Sequence, residues 1–280
     1  MITHADMIRA ISAFDFPQDG IILTHSSLKA LGHIENGAEG VIDALWAQVP
    51  DGTLVFPTLS NKNWDTVFED WHMDRPSDVG LISETFRTQP GTLRSDNATH
   101  SVAARGRNAA DLVSGPHDKG ARPGIFGSYC FSHHSPWQKM YESRTRYGVR
   151  AYVLFWGVTM LYNTYKHFVE YRFVEELLNA IKDPQQKAAL QAEIHTYDSP
   201  NKGDSTETIN WPFYSSIDFQ ETLLAEGLAK KVPLGNGFLI ACDTYDMVNR
   251  TDRAIRADSD TMLAPHMADW VRRARACSEL

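Results

Sequence analysis

The amino-acid sequence predicts one α/β domain with insertions, and three observations support this prediction. Short apolar runs typical of buried strands occur at 21–24, 53–56 and 152–156. Segments with apolar residues at helical spacing alternate with these runs. No internal repeat, low-complexity segment or clean domain boundary interrupts the 280 residues, so we interpret 1–280 as a single domain.

The first strand–helix–strand unit lies near the start of the chain. Its first strand, 21–24, ends just before His25. Apolar residues at helical spacing between 38 and 49 predict a helix, and the second strand follows at 53–56. A connection through a helix favours parallel pairing of the two strands.

Capping residues predict where several helices begin. Short polar side chains at an N-cap accept hydrogen bonds from the first free amides of a helix. Such residues precede apolar stripes at four places: Thr3, Asn36 with Glu39 in a capping-box-like arrangement, Ser77, and Ser135 before Pro136.

Later strand and helix signals extend the α/β pattern. A loop leads into a strand near 101–104. Gly235 and Asn236 lie between two strand-like runs and predict a hairpin. Two helices, one around 245–255 and one over 259–276, are predicted to close the chain.

A polar, weakly periodic segment precedes the hairpin. We interpret 182–216 as an insertion into the domain. Its middle, 185–193, favours a helix, and 198–208 is typical of an exposed loop.

Composition and charge restrict the classes of function. The formal net charge is −8 and no large basic cluster occurs, which argues against a nucleic-acid partner. Three cysteines without a pairing pattern indicate a reducing compartment. No apolar run is long enough for a membrane span, so we expect a cytoplasmic protein with no membrane partner. Association into a homodimer is compatible with the sequence.

His167 and Glu170 are the leading catalytic candidates. They lie three residues apart on a predicted helix that Asn163 or Thr164 could cap, after the strand 152–156. One interpretation is a solvated helix face, and a second is a metal site completed by His133 or His134. The third is proton transfer, because ligands of α/β sheets bind beyond the carboxyl ends of strands.

A long polar connection between 59 and 76 is a candidate for a substrate-binding site. It contains four carboxylates, Asp65, Glu69, Asp70 and Asp74, with Trp64 and Trp71 between them. It is either a surface excursion or an acidic and aromatic wall for a cationic substrate.

Polar residues lie at apparent ends of predicted strands at three places. These are His25-Ser26-Ser27, His100-Ser101 and Asn163-Thr164. Hydroxyl and backbone N–H groups at strand ends can hold phosphates or amide-rich ligands, although such short pairs are also common in turns.

Taken together and in order, these segments resemble the aminoglycoside 3-N-acetyltransferase family, which is distinct from the GNAT fold. The resemblance depends on three spaced motifs: H-S-S-L at 25–28, R-S-x-x-x-x-H-S at 94–101 and N-T-x-x-H-x-x-E at 163–170. The segments GTLVFPTLS and HSPWQKMY support it, and it covers most of the chain outside 181–216. It implies a three-layer α/β/α fold with a mixed central sheet.

The resemblance also implies an activity and the roles of particular residues. The activity is acetyl transfer from acetyl-CoA to the 3-amino group of an aminoglycoside, with no metal. His167 would be the general base, with Glu170 as its carboxylate and Thr164 beside it. The cofactor would contact His25, Ser26, Ser27, Leu28, Ser101, Val102 and Ser135. The acceptor amine would face Asp65, Asp70 and Asp74.

Three alternatives remain open at this point. The first is a CoA-dependent transferase for another amine, because 121–135 and 183–211 depart from the family and could reshape the acceptor pocket. The second is a metal-dependent hydrolase that uses His167 and Glu170. The third is a binding module without catalysis on the same fold.

Overall fold

A seven-stranded mixed sheet forms the centre of the protein in the computed structural model, which describes residues 1–60, 70–115, 130–197 and 216–278. The strands are β1 (Ile21–Ser26), β2 (Thr53–Pro57), β3 (Leu93–Arg94), β4 (Val102–Gly106), β5 (Ala151–Trp156), β6 (Ala229–Leu234) and β7 (Gly237–Asp243). Their order in the sheet is β3-β4-β2-β1-β5-β7-β6. The predicted strands and the hairpin are confirmed.

Strand direction brings several chain segments to one edge of the sheet. β1 pairs in parallel with both β2 and β5, which confirms the parallel pairing predicted for β1 and β2. β4 and β7 run antiparallel to their neighbours, so Val102 lies opposite Pro57 and Leu239 lies opposite Trp156. The carboxyl ends of β1, β2 and β5 therefore share an edge with the amino ends of β4 and β7.

Helices surround this sheet within the described residues. They are α1 (His4–Ser12), α2 (Gly37–Trp46), α3 (Leu81–Thr88), α4 (Ala109–Val113), α5 (Pro136–Tyr141), α6 (Ser143–Arg146), α7 (Tyr165–Ala180), α8 (Pro184–Tyr197), α9 (Ser216–Ala225), α10 (Thr244–Ala257), α11 (Ser259–Met262) and α12 (Pro265–Cys277). Short 3-10 helices span Lys29–Leu31 and Met160–Tyr162. None of these helices combines the length and apolar character needed to cross a bilayer.

Two apolar cores confirm the three-layer architecture. Successive strand residues point to opposite faces, so Leu23 and Val153 enter one core whereas Ile22 and Leu154 enter the other. Helices α1, α2 and α3 contribute to the core that contains Ile22 and Leu154. The core that contains Leu23 and Val153 receives residues from α4, α5, α7, α8, α9, α10 and α12.

Two of the four predicted capping residues form side-chain caps at the start of a helix. Thr3 forms a capping box with Asp6, and the Ser135 hydroxyl accepts a hydrogen bond from the Gln138 amide at the start of α5. These caps satisfy amides that lack partners within the helix.

The capping-box prediction for Asn36 and the helix start at Ser77 are wrong. Asn36 adopts a left-handed conformation, with φ of 57°, and its side chain makes no capping hydrogen bond. The helix after Ser77 begins at Leu81, because Gly80 has φ of 116° and interrupts the helix. The Ser77 amide donates instead to the carboxylate of Glu84 at 2.9 Å.

The single helix predicted over 259–276 is also wrong, because it is divided into α11 and α12. Leu263 and Ala264 are extended between them. Pro265 occupies the first turn of α12, and a proline disfavours helical conformation in the residue before it. The Ala-Pro pair was a usable signal for this break.

Part of the predicted insertion is visible as helix α8, which confirms the helix expected at 185–193. Leu190 and Ile194 are buried in the core, and the Trp270 indole donates to the Leu190 carbonyl at 3.0 Å. The predicted loop 198–208 lies outside the described residues.

Candidate active site

The start of α7 lies beyond the carboxyl end of β5, as the sequence predicted. Asn163 provides the side-chain cap, because its Oδ1 accepts a hydrogen bond from the Tyr165 amide at 3.0 Å. Thr164 occupies the N-cap position without a side-chain cap, and its carbonyl accepts from the His167 amide at 3.1 Å. The first turn of α7 therefore fixes the backbone at His167.

His167 and Glu170 form a hydrogen-bonded pair on the inner side of α7. His167 Nδ1 lies 3.0 Å from Glu170 Oε2. The Glu170 side chain is 0% exposed and the His167 side chain is 18% exposed. The interpretation as a solvated helix face is therefore wrong.

Burial changes the acid–base behaviour of both members of the pair. Loss of hydration lowers the pKa of His167 well below its usual value, and the positive charge of Lys166 and the His100 ring act in the same direction. Burial raises the pKa of Glu170 well above its usual value, and Lys166 opposes that rise.

His100 and Phe131 form an aromatic wall around His167. The ring centroids of His100 and His167 are 6.1 Å apart in an edge-to-face arrangement, and Phe131 lies 4.9 Å from His100. Thr99 Oγ1 contacts His100 Nδ1 at 2.9 Å. Burial lowers the pKa of His100 to about 3, so this imidazole is neutral at physiological pH. Phe131 was missed by sequence reasoning, since nothing in its loop distinguishes it.

A pocket of about 680 Å³ opens at the same edge of the sheet. It brings together four residues predicted from the sequence, His25, Ser26, Ser27 and Thr164. The other lining residues include Pro57, Leu59, Asp78, Val79, Ser83, Gly157, Val158, Thr159, Tyr162 and Phe238. Asp78, which places a carboxylate in the pocket, was missed.

Gly157 allows the chain segments around this pocket to approach each other closely. Its φ is +69°, and a Cβ there would lie 3.1 Å from Ala30 Cβ and 3.2 Å from the Ser27 carbonyl. A side chain at this position would push the end of β5 away from the segment that follows β1.

The end of β1 presents buried polar atoms without partners. His25 is 7% exposed and its ring stacks on Phe155 with a centroid distance of 5.5 Å. Within the described residues, His25 Nε2 and Ser26 Oγ have no hydrogen-bond partner. Burial lowers the pKa of His25 to about 3, so the ring is neutral. Unsatisfied buried polar groups are costly and often indicate a place where a ligand binds.

The remaining predicted cofactor residues do not line this pocket. The Ser101 hydroxyl is buried and contacts Thr58, and Val102 is buried in β4. Ser135 caps α5, and Leu28 precedes the 3-10 helix Lys29–Leu31. In this structure the side chains of these residues make packing or capping contacts within the protein.

The predicted acceptor carboxylates are only partly visible. Asp65 and Glu69 lie outside the described residues. Asp70 and Asp74 are exposed, and Asp70 lies 3.9 Å from the guanidinium of Arg75.

The metal hypothesis fails in the described part of the chain. No three His, Cys, Asp or Glu side chains there converge in a way that could hold a metal ion. His133 is 78% exposed and lies 4.0 Å from Glu175, so it does not complete a site with His167 and Glu170. The three cysteines are free thiols.

A buried imidazole–carboxylate pair beside a pocket at the carboxyl edge of a mixed sheet is an arrangement typical of α/β enzymes. Comparison with known proteins then specifies the family. The family described as aminoglycoside 3-N-acetyltransferase matches residues 23–256, so the chain belongs to this family and is an acyltransferase.

Individual relatives agree with this assignment. The chain is 33% identical over 113 residues to aminoglycoside N(3)-acetyltransferase IV of Salmonella sp., and the match spans 40% of this chain and 42% of that protein. It is 27% identical over 246 residues to the aminoglycoside N(3')-acetyltransferase-like protein YokD of Bacillus subtilis, covering 80% of this chain and 78% of the relative. The solved structure "AAC-IIIb binary with CoASH" shares the fold, with a TM-score of 0.65, 18% identity and coverage of 91% and 96%.

Proposed function

We propose that this protein transfers an acetyl group from acetyl-CoA to an amine, with the 3-amino group of an aminoglycoside as the first-choice acceptor. The observation that carries the proposal is the 3.0 Å contact between His167 and the fully buried Glu170, one turn after the pocket residue Thr164. Family membership, two relatives named for aminoglycosides and a fold neighbour bound to CoA support it.

The pocket residues fit an amide-rich ligand such as the pantetheine arm of CoA. His25 Nε2 and Ser26 Oγ are buried polar atoms that lack a partner in the described chain. Ser27 and Thr159 add hydroxyl groups, and Phe238 adds an apolar wall. Amide N–H and C=O groups would satisfy these atoms, whereas an apolar ligand would leave them unpaired.

The chemistry requires one base and no protein nucleophile. Acetyl-CoA supplies an activated thioester, so the acceptor nitrogen attacks the carbonyl carbon directly and the carbon–sulfur bond breaks. The nitrogen loses a proton to His167, which then returns it to the departing thiolate. For this role His167 Nε2 must be unprotonated, so Nδ1 carries the ring proton and donates a hydrogen bond to Glu170. Glu170 must be ionised, a state that burial opposes and the positive charge of Lys166 favours. Glu170 then stabilises the imidazolium that forms.

Substitution of His167 tests the assignment of the base. A general base contributes on the order of 10²–10⁴-fold in rate. We therefore expect His167→Ala to lower kcat by about that factor while the affinity for acetyl-CoA stays within a few-fold. Glu170→Gln should also lower kcat, because an amide oxygen accepts the Nδ1–H bond without stabilising the imidazolium charge.

Release of free thiol from acetyl-CoA measures this turnover across a panel of aminoglycosides and other amines. His4→Ala serves as the matched control, since His4 is exposed at the start of α1. Near-full turnover by His167→Ala would exclude this residue as the base and favour His100 or His25.

A different amine is the second candidate acceptor. The predicted insertion 182–216 directly follows α7 and departs from the family pattern, so it can alter the acceptor pocket. Turnover with a non-aminoglycoside amine alone would favour this candidate.

We further propose a cytoplasmic location, supported by three cysteines that form no disulfide. A homodimer is a second proposal, which measurement of the molecular mass in solution would test.

A further inference from the structure

Arg94 is a buried cation that binds four polar groups of its own chain. It lies in β3 and is 9% exposed. Its Nη1 donates to the carbonyls of Met73 and Arg75, and its Nη2 donates to the Thr58 carbonyl at 2.7 Å. Its Nε donates to Ser101 Oγ at 3.3 Å. The guanidinium therefore joins the segment at Met73 to the sheet edge at Thr58 and Ser101.

Trp71 strengthens this connection. The guanidinium carbon of Arg94 lies 4.7 Å from the centroid of the Trp71 ring, which is a cation–π contact. The Trp71 indole donates to Asp96 Oδ1 at 2.8 Å. Arg94 in β3 and Asp96, two residues later, thus contact the same indole.

The segment that Arg94 holds, 70–79, contains three carboxylates. Asp70 and Asp74 are exposed, whereas Asp78 lines the pocket. The Asp78 amide donates to the Leu59 carbonyl at 2.7 Å, which keeps this end of the segment against the sheet edge.

An arginine is suited to this position for a physical reason. Burying a cation is costly unless its donors are satisfied, and a planar guanidinium presents five donors in a fixed fork. The ammonium of a lysine presents three donors from one nitrogen, so it cannot reproduce the four contacts that the guanidinium makes. Position 94 therefore requires the planar donor geometry of a guanidinium and not only a positive charge.

We propose that Arg94 is a positioning residue for acceptor recognition, which holds 70–79 as an acidic wall of the site for a polycationic amine. This inference rests on the proposed acetyl transfer. Asp70 and Asp74 would face ammonium groups of the acceptor, whereas Asp78 lines the pocket assigned to the cofactor and marks where the segment reaches it. Arg94 would act through the segment without touching substrate.

The kinetic test compares Arg94→Lys with a matched arginine. Arg94→Lys keeps the charge but loses the fork, so we expect the KM for the acceptor to rise about tenfold or more. The KM for acetyl-CoA and kcat at saturating acceptor should stay within about threefold, because ground-state binding of one substrate is lost. Arg105→Lys is the control, since Arg105 lies on β4 against Trp46 and Phe86 and hydrogen-bonds Gln89.

A double substitution separates a positioning role of Arg94 from a general contribution to the stability of the fold. Asp74→Asn alone should raise the acceptor KM, and in the Arg94→Lys background it should add little, because the two residues act as a unit. Additive effects, an unchanged acceptor KM, or equal rises in both KM values would overturn the proposal.

A proteolysis assay reports on the segment independently of activity. Arg94 binds the carbonyl of the Met73–Asp74 peptide bond, so an endoproteinase that cuts before aspartate should cleave there faster in Arg94→Lys than in Arg105→Lys. Equal cleavage would show that Arg94 does not hold the segment. If the wild type acetylates no amine, the proposed function and the acceptor role fail together, and faster cleavage would then show a structural contact alone.

Discussion

At the scale of single residues, the charges around His167 control the protonation state that the proposed base requires. His167 and Glu170 are buried together, and Lys166 lies close enough to affect the pKa of each. The Lys166 ammonium donates to the Leu161 carbonyl at 3.1 Å, which holds it at the start of α7. In the proposed mechanism the reactive state contains neutral His167 and ionised Glu170, so it carries one buried negative charge, which the positive charge of Lys166 favours.

We predict that Lys166→Met moves the acid limb of the pH–rate profile to higher pH. The ammonium lowers the pKa of His167 and the pKa of Glu170, and both effects favour the proton-poor pair that acts as the base. Removing the Lys166 ammonium raises the pKa below which the pair becomes protonated. The fall in kcat/KM on acidification therefore begins at a higher pH than in the wild type. Charges within about 4–6 Å commonly shift a pKa by one unit or more.

The measurement is kcat/KM against pH for the wild type, Lys166→Met and a distant control. Lys187→Met is suitable, because Lys187 is partly exposed on α8 and donates a hydrogen bond to the side-chain oxygen of Asn179. An acid limb that stays in place, or moves to lower pH, in Lys166→Met would contradict the proposed charge balance.

Sequence reasoning identified the residues whose neighbours are close along the chain. His167 and Glu170 share one helix turn, and His25 and Ser26 end a strand, so spacing alone placed them. The same reasoning could not place Arg94, because its partner Thr58 lies 36 residues away in sequence. Contacts of that kind depend on the order of strands in the sheet, which local periodicity does not encode.

At the scale of secondary-structure elements, helix α8 shows what periodicity can and cannot predict. The sequence indicated a helix near 185–193 but not its partner. In the structure α8 packs on α7 and α12, with Leu190 and Ile194 buried. Trp270 of α12 is 0% exposed and donates its indole N–H to the Leu190 carbonyl. The described part of the insertion is therefore joined to the core.

We predict that Trp270→Phe and Trp270→Ala destabilise the protein to different extents. Trp270→Phe loses the indole hydrogen bond, whereas the Leu190 carbonyl keeps its helical partner within α8, so the cost should be about 0.5–1.5 kcal/mol. Trp270→Ala also removes the ring from the core and should cost about 3–5 kcal/mol. Urea unfolding measures both values, and thiol release should show an unchanged kcat for the folded variants.

Tyr245→Phe is the control for this comparison, since Tyr245 is 42% exposed on α10. A cost below about 1 kcal/mol for Trp270→Ala would mean that the contact between α8 and α12 contributes little to stability. In that case the start of the insertion would be attached to the domain mainly through α7.

At the scale of the whole molecule, several buried polar groups without partners in the described chain lie at one edge of the sheet. β1 is the central strand, and its last residues present His25 Nε2 and Ser26 Oγ without partners in the described chain. Glu170 Oε1 is likewise buried and unpaired within the described residues. These groups cost free energy in the unliganded protein, so a ligand that pairs with them should stabilise the folded state.

We predict that CoA and acetyl-CoA each raise the melting temperature in the absence of added metal. A ligand at 100 times its Kd adds about 2.7 kcal/mol to the free energy of unfolding by mass action. For a chain of this size that corresponds to a rise of roughly 5 °C.

His167→Ala should show the same rise in melting temperature, because His167 does not line the pocket that we assign to the cofactor. EDTA should leave the shift unchanged. Absence of any shift at millimolar concentrations of either ligand would contradict the cofactor assignment, and a shift abolished by EDTA would require a metal in the site.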